Sequence, residues 1–198
     1  MEVLMSSSSL VRWGLLGALL AATGWTVSGI VAFVFGVAPF GPVGSLSWYL
    51  IESSDAIAEA GMLMALVGLH VRQVPNYGRL GMAGFIVAFV GTASSFVTTV
   101  IYILSFNRFE TVVGVLQNLG ILGWLVGFPL LGIATFRARV LPHWCGVLLA
   151  AFAPILFLVF FLLDRSGAVR AFLGPYWLAV GYALWSRSAA SEQPSRVR

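Results

Sequence analysis

The sequence predicts an all-α polytopic integral membrane protein, a six-helix transmembrane bundle with both termini in the cytoplasm. Hydrophobic residues make up 60% of the 198-residue chain and charged residues only 9%, whereas a soluble domain contains about 25% charged residues. The apolar residues also form six runs, each near the ~20 residues that a helix needs to cross a bilayer. We therefore expect transmembrane helices joined by short loops.

In chain order, the six runs cover about residues 13–36, 47–71, 80–105, 112–136, 143–163 and 170–186. The N-terminus begins like a signal peptide, but its apolar run of about 24 residues is longer than the roughly 7–15 residues of a signal-peptide core. We expect this run to remain as the first span. Residues 1–188 are predicted to form a single transmembrane domain, and residues 189–198 a disordered cytoplasmic tail.

The arginines predict the orientation. All eleven basic residues are arginines, and alternate loops place eight on one side (Arg12, Arg72, Arg79, Arg137, Arg139, Arg187, Arg196 and Arg198) and three on the other (Arg108, Arg165 and Arg170). Because positive charge concentrates on the cytoplasmic side, both termini are predicted to be cytoplasmic. We expect a multi-pass protein of a bacterial inner membrane.

Small residues predict how the helices pack. In lipid, the acyl chains are as apolar as the helix surfaces, so the hydrophobic effect does not drive helices together. Helices associate instead where small side chains let their backbones approach closely. Spans 2, 3 and 4 carry such faces and are predicted to form the core, with span 3 at its centre. The small residues are Ser54, Gly61, Ala65 and Gly68 in span 2, Gly81, Gly84, Ala88, Gly91, Ser95 and Thr98 in span 3, and Gly120, Gly123 and Gly127 in span 4.

Three of the seven acidic residues, Glu52, Asp55 and Glu59, open span 2. At about 100° per residue they lie within an arc of roughly 60° on one helix face. Glu59 lies roughly 10 Å deeper than Glu52, because a helix rises about 1.5 Å per residue. A charged carboxylate at that depth must be paired, hydrated or protonated. The candidate charge partners are Arg108, Arg165 and Arg170.

This acidic face has three interpretations: a structural role through arginine pairing, a cation or proton site, or contact with a partner or polar ligand. Gln117 and Asn118 form a second polar point, in the outer half of span 4, and would face Glu59 if spans 2 and 4 were neighbours. Two deep tryptophans, Trp25 and Trp124, are candidate pocket walls. Hydroxyl groups of span 3 would add to the same cavity: Thr92, Ser94, Ser95, Thr98 and Thr99.

The sequence lacks the signatures of most enzymes. The two histidines, His70 and His143, lie near span ends, so neither a membrane serine hydrolase nor a haem or metal site is expected. The lone Cys145 excludes an intrachain disulfide. There is no phosphate-binding glycine loop, and the dispersed arginines argue against nucleic-acid binding. The sequence identifies no cofactor.

Three stretches resemble segments of uncharacterised small multi-span bacterial membrane proteins: "GLHVRQVPNYGRLGMAGFIVAFVGTA", "FRARVLPHWCGVLLA" and "LAVGYALW". The turn "RVLPHW" is the most recognisable piece. The resemblance implies a multi-span helical fold and transfers no activity.

We expect a non-enzymatic accessory or ligand-binding membrane subunit with an outer-half polar pocket on span 2. Its partners would be the lipid bilayer and another membrane subunit or a second copy of the chain. The main alternative is a proton- or cation-coupled transporter of a small solute that uses Glu59, and the second is a membrane-embedded enzyme. Against transport, only span 5, through Pro154, shows the helix interruption expected of a transporter.

Overall fold

The computed structural model describes residues 7–35, 42–105, 110–163 and 168–191. Within these ranges the chain forms six helices and no strands. The helices are α1 Ser7–Val34, α2 Leu46–Gln73, α3 Gly78–Ser105, α4 Glu110–Ala138, α5 His143–Leu163 and α6 Ala168–Ser191. Each predicted run corresponds to one helix. Helix α6 continues into the predicted tail as far as Ser191, and the rest of that tail lies outside the described residues.

In the described ranges, four helices are long and apolar enough to cross a membrane. They are α1, α2, α3 and α4, over residues 9–34, 46–73, 78–105 and 111–138. Helix α5 contributes a shorter apolar stretch, His143–Leu158. The chain is therefore an all-helical protein with the properties of a membrane protein.

Turn residues explain several helix boundaries. The Ser45 side chain caps α2 by accepting a hydrogen bond from the Trp48 backbone N–H at 3.2 Å, which satisfies a donor that the first helical turn leaves free. Gly78, at the start of α3, has a φ of 60°, a conformation that glycine adopts without steric cost. Helix α4 ends where Arg139 takes a φ of 57°.

The helices form a closed ring in the order α6, α1, α2, α3, α4, α5. Helix α1 packs extensively against both α2 and α6, and α4 against both α3 and α5. Packing is less extensive between α2 and α3 and between α5 and α6, where the ring closes. We therefore describe a first half (α6, α1, α2) and a second half (α3, α4, α5).

Glycines join the helices within the first half. A Cβ atom on Gly14 would lie 2.5 Å from the Gly68 Cα atom, and one on Gly61 would lie 2.5 Å from the Ala21 nitrogen. These distances are shorter than any ordinary carbon contact, so the backbones of α1 and α2 touch directly. Gly29 makes the corresponding contact with Ala171 of α6. The small-residue face predicted for span 2 is therefore a packing face, directed at α1.

The second half is joined in the same way. The predicted small-residue face of α3 is buried and packs against α4, where a Cβ on Gly91 would lie 2.6 Å from the Gly123 Cα atom. Between α4 and α5, a Cβ on Gly146 would lie 2.6 Å from the Phe136 nitrogen. In the described part of the chain, the close helix contacts at glycines all fall within one half or the other.

Aromatic rings fill the space between the two halves. Trp25 of α1 meets Trp124 of α4 edge to face, with ring centroids 6.3 Å apart. Both indole N–H groups have partners, Met62 Sδ at 3.4 Å and Thr92 Oγ1 at 3.1 Å. These tryptophans, predicted as pocket walls, are buried core residues. Further ring contacts between the halves are Phe128–Trp177, Phe152–Tyr176 and Trp48–Tyr102.

The structure changes two sequence-based expectations. Helix α3 is not central, since the helices with extensive interfaces on two sides are α1 and α4. The prediction did not use the glycines of span 1, and these glycines bring α1 against both α2 and α6. In addition, Pro154 is not the only proline inside a described helix, because Pro129 lies within α4 and Pro175 within α6, and all three helices continue through their prolines.

We predict that Gly91→Ala lowers the free energy of unfolding by about 1–3 kcal/mol, the usual cost of overpacking a core. The added methyl group would clash with the α4 backbone at Gly123. Thermal unfolding in detergent measures the change. Gly114→Ala is the matched control, because a Cβ there would meet nothing within 4 Å. Equal stability of the two variants would contradict close packing of α3 on α4.

Candidate functional site

The three acidic residues of α2 are buried side by side. Glu52, Asp55 and Glu59 are 5%, 6% and 4% exposed. Their spacing of three and then four residues puts them on one helix face, as the sequence predicts. The face turns into the bundle and forms a buried group of carboxylates, which we call the carboxylate cluster.

Arg170 of α6 pairs with the middle carboxylate. Its Nε atom donates to Asp55 Oδ2 at 2.9 Å, with the two side chains 17% and 9% exposed. The packing of α6 on α1 explains this position: Ala171, the next residue, lies directly against Gly29. Arg170 is thereby held beside α2 by the glycine contacts of α1.

The described residues give Glu52 and Glu59 no comparable partner. Within the described residues, their only ion-pairing neighbour would be Arg170, which lies close enough to influence both but forms its salt bridge with Asp55. Glu52 Oε1 and Glu59 Oε2 are buried with no hydrogen-bond partner. Thr99 of α3 lies within hydrogen-bonding reach of Glu59. The deepest carboxylate thus lies where the first half meets the second.

Ser28 of α1 completes the cluster. It is 0% exposed and lies beside Asp55, although its hydroxyl forms no well-aligned hydrogen bond. One oxygen of Asp55, Oδ1, is also without a partner. A buried polar atom normally has a hydrogen-bond partner, and leaving one unpaired costs about 1–3 kcal/mol. The cluster therefore contains carboxylate oxygens, and the hydroxyl of Ser28, that form no hydrogen bond.

The charges of the described part of the cluster do not balance. Among the residues that the structure describes, three carboxylates face one guanidinium, so full ionisation would leave two negative charges without a described counter-charge. An unpaired charge in a low-dielectric interior costs several kcal/mol. Protonation or a bound cation at Glu52 and Glu59 would remove this cost.

The other predicted site residues lie elsewhere. Gln117 and Asn118 are exposed on α4, and α2 forms its described interfaces with α1, α3 and α6 rather than with α4. They do not face Glu59, because both side chains are exposed whereas Glu59 is buried inside the bundle. Arg108 and Arg165, the other proposed charge partners, lie outside the described residues. Ser28 was missed by sequence reasoning, and its only signal was a hydroxyl beside a glycine within an apolar span.

His70 belongs to a separate group at the opposite end of α2. It forms a hydrogen bond with the Tyr77 hydroxyl and stacks on Phe85 with ring centroids 4.1 Å apart. Burial raises the pKa of Tyr77 to about 12, so this hydroxyl stays protonated at neutral pH. Among the residues that the structure describes, no three His, Cys, Asp or Glu side chains are arranged to hold a metal ion.

Comparison with known proteins identifies no relative: no family model, curated protein or solved structure matches this chain.

We predict that Asp55 and Arg170 are strongly coupled in stability. Removing one partner leaves a buried charge unpaired, which typically costs about 3–5 kcal/mol. Arg170→Gln should lower the unfolding temperature markedly, because it leaves Asp55 buried without its cation. Asp55→Asn should lower it less, because Arg170 still lies close enough to influence Glu52 and Glu59. The double variant Asp55→Asn/Arg170→Gln should lower the unfolding temperature by much less than the sum of the two single changes, because it leaves neither charge of the pair behind. A double-mutant cycle measured by thermal unfolding in detergent checks this, and additive losses would contradict the coupling.

Proposed function

We propose that this chain is a non-enzymatic bacterial inner-membrane protein, an accessory or ligand-binding subunit that holds positive charge at its carboxylate cluster. The ligand is a small cation or the proton itself. The residues that carry the function are Glu59 and Glu52, with Asp55 held by Arg170. Ser28 and Thr99 supply hydroxyl groups around them.

One observation carries this proposal: in the described part of the chain, two buried carboxylates lie next to an ion pair that already uses the guanidinium of Arg170. A purely structural acidic residue would be expected to have a cationic partner or satisfied oxygens. Glu52 and Glu59 each keep an oxygen with neither. Positive charge delivered to this cluster would therefore be bound at Glu52 and Glu59 rather than at Asp55.

The proposal includes the membrane arrangement. All six helices cross the bilayer as one domain over residues 1–188, with both termini in the cytoplasm. The distribution of arginines supports this orientation. It places Glu52 near the outer surface and Glu59 roughly 10 Å deeper, given about 1.5 Å per helical residue. The ligand then enters from outside the cell.

We predict that the protein is stabilised by its cation, or by acid if the ligand is a proton, and that Glu59→Gln abolishes the response. A ligand at about one hundred times its Kd raises the free energy of unfolding by about 2.7 kcal/mol. Thermal unfolding in detergent should be measured across pH and with Na⁺, K⁺, Mg²⁺, Ca²⁺ and tetramethylammonium. For a proton, Glu59→Gln mimics the loaded state and should be more stable than wild type at neutral pH.

The matched controls are Gln117→Ala and Asn118→Ala. They alter polar residues in the predicted outer half of α4 that lie outside the carboxylate cluster. Both should respond to the ligand as wild type does. A response that survives Glu59→Gln would remove Glu59 from the site. A monomer that purifies in mild detergent with no accompanying protein, lipid or pigment would contradict the subunit assignment.

The second candidate function is proton- or cation-coupled transport of a small solute. It is favoured by the position of Glu59, which belongs to the first half but lies beside Thr99 of the second. A carboxylate there would sense movement of one half against the other. Prolines, which are common in the mobile helices of transporters, also lie within α4 and α6 and not within α5 alone.

We predict for this candidate that reconstituted protein moves protons or the stabilising cation across a liposome membrane, and that Glu59→Gln stops the flux. The measurement is dissipation of an imposed ion gradient followed with a trapped indicator dye. Asn118→Ala should transport normally. Flux that continues in Glu59→Gln would exclude Glu59 as the coupling residue, and no flux for any tested cation would contradict transport.

A further inference from the structure

An apolar groove lies between α4 and α5, on the far side of the second half from α2. Its volume is about 570 Å³, and it is lined by Leu125, Pro129, Ala150, Ala153, Pro154, Phe157 and Leu158. It opens outward, since Pro154, Phe157 and Leu158 are exposed. Pro129 and Pro154 both lie well inside their helices, so in the membrane arrangement proposed above, on which this inference rests, the groove faces the lipid interior.

The two prolines leave two backbone carbonyls without their helical donors. Proline has no N–H group, so it cannot donate to the carbonyl four residues earlier. For Pro129 that carbonyl belongs to Leu125, and for Pro154 it belongs to Ala150. Leu125 and Ala150 themselves line the groove. Both freed carbonyls therefore belong to residues that form the same groove.

The lining side chains cannot satisfy these carbonyls. Every one of them is a hydrocarbon, so the small polar part of the groove surface consists of main-chain atoms. In lipid there is no water to take the place of the missing donors. A freed carbonyl beside Ser or Thr would find a hydroxyl partner, but the described lining of the groove contains neither.

We propose that the groove binds a lipid-soluble small molecule that carries a hydroxyl group. The hydroxyl donates to the free carbonyls of Leu125 or Ala150, and the apolar part of the molecule fills the groove. A volume of about 570 Å³ falls within the roughly 300–1,000 Å³ range of small-molecule sites. The lining on α5 extends from Ala150 to Phe157 and Leu158, about two helical turns, which is much shorter than the contact a spanning partner helix would make.

This site is independent of the carboxylate cluster, which lies on the first half. Its test uses the full chain in lipid nanodiscs with two probes, a diazirine-bearing octanol and the methyl ether of the same alcohol. The ether matches the alcohol in shape but cannot donate a hydrogen bond. After photolysis, mass spectrometry measures adducts at residues 125–129 and 150–158.

The alcohol should label the groove about fivefold more than the ether, the ratio expected from one net hydrogen bond. In the double variant Pro129→Ala/Pro154→Ala, the restored N–H groups bond the two carbonyls within their helices. The preference for the alcohol should disappear there while ether labelling continues. Pro175→Ala, which alters a proline of α6 that does not line the groove, should keep the preference.

Equal labelling of the wild-type groove by the two probes would overturn the proposal. So would a preference for the alcohol that persists in the double proline variant. A second copy of the chain covering the groove would block both probes in wild type, which would also contradict a small-molecule site.

Discussion

Direct contact of helix backbones at glycine is the constraint on which the rest of this structure depends. In lipid, apolar side chains gain little by leaving the acyl chains, so helices associate where their backbones can approach closely. Gly14 and Gly68 bring α1 against α2, and Gly91 and Gly123 bring α3 against α4. Where such contacts are absent, aromatic rings fill the gap, and this division produces the two halves of the ring.

The glycine contacts also explain the buried charges. Gly29 lets α6 approach α1 closely enough for Arg170 to reach Asp55. At the other end of the same half, Arg72 donates to the Leu184 carbonyl of α6 at 2.8 Å. The first half is thus joined by arginines near both ends, and the carboxylates left over lie at its boundary with the second half. The proposed cation site therefore lies where it would respond to a shift between the halves.

Much of the fold was predictable because it depends on local sequence. Each of the six apolar runs overlaps one helix, and the small-residue face from Gly81 to Thr98 is buried as expected. The choice of neighbours was not predictable in the same way. Small faces on spans 2, 3 and 4 suggested mutual contact, whereas the face of α2 pairs with α1. Any two small faces are compatible, so their presence alone does not determine which helices meet.

The same distinction between local sequence and helix packing applies to the candidate site. The sequence by itself determined that Glu52, Asp55 and Glu59 share one helix face, because a regular helix sets the angle between residues three and four apart. Only the tertiary structure decided that Arg170 pairs with Asp55, that Ser28 and Thr99 join the cluster, and that Gln117 and Asn118 do not. These residues lie on different helices, and their proximity depends on how the glycine contacts order the ring, which local sequence does not encode.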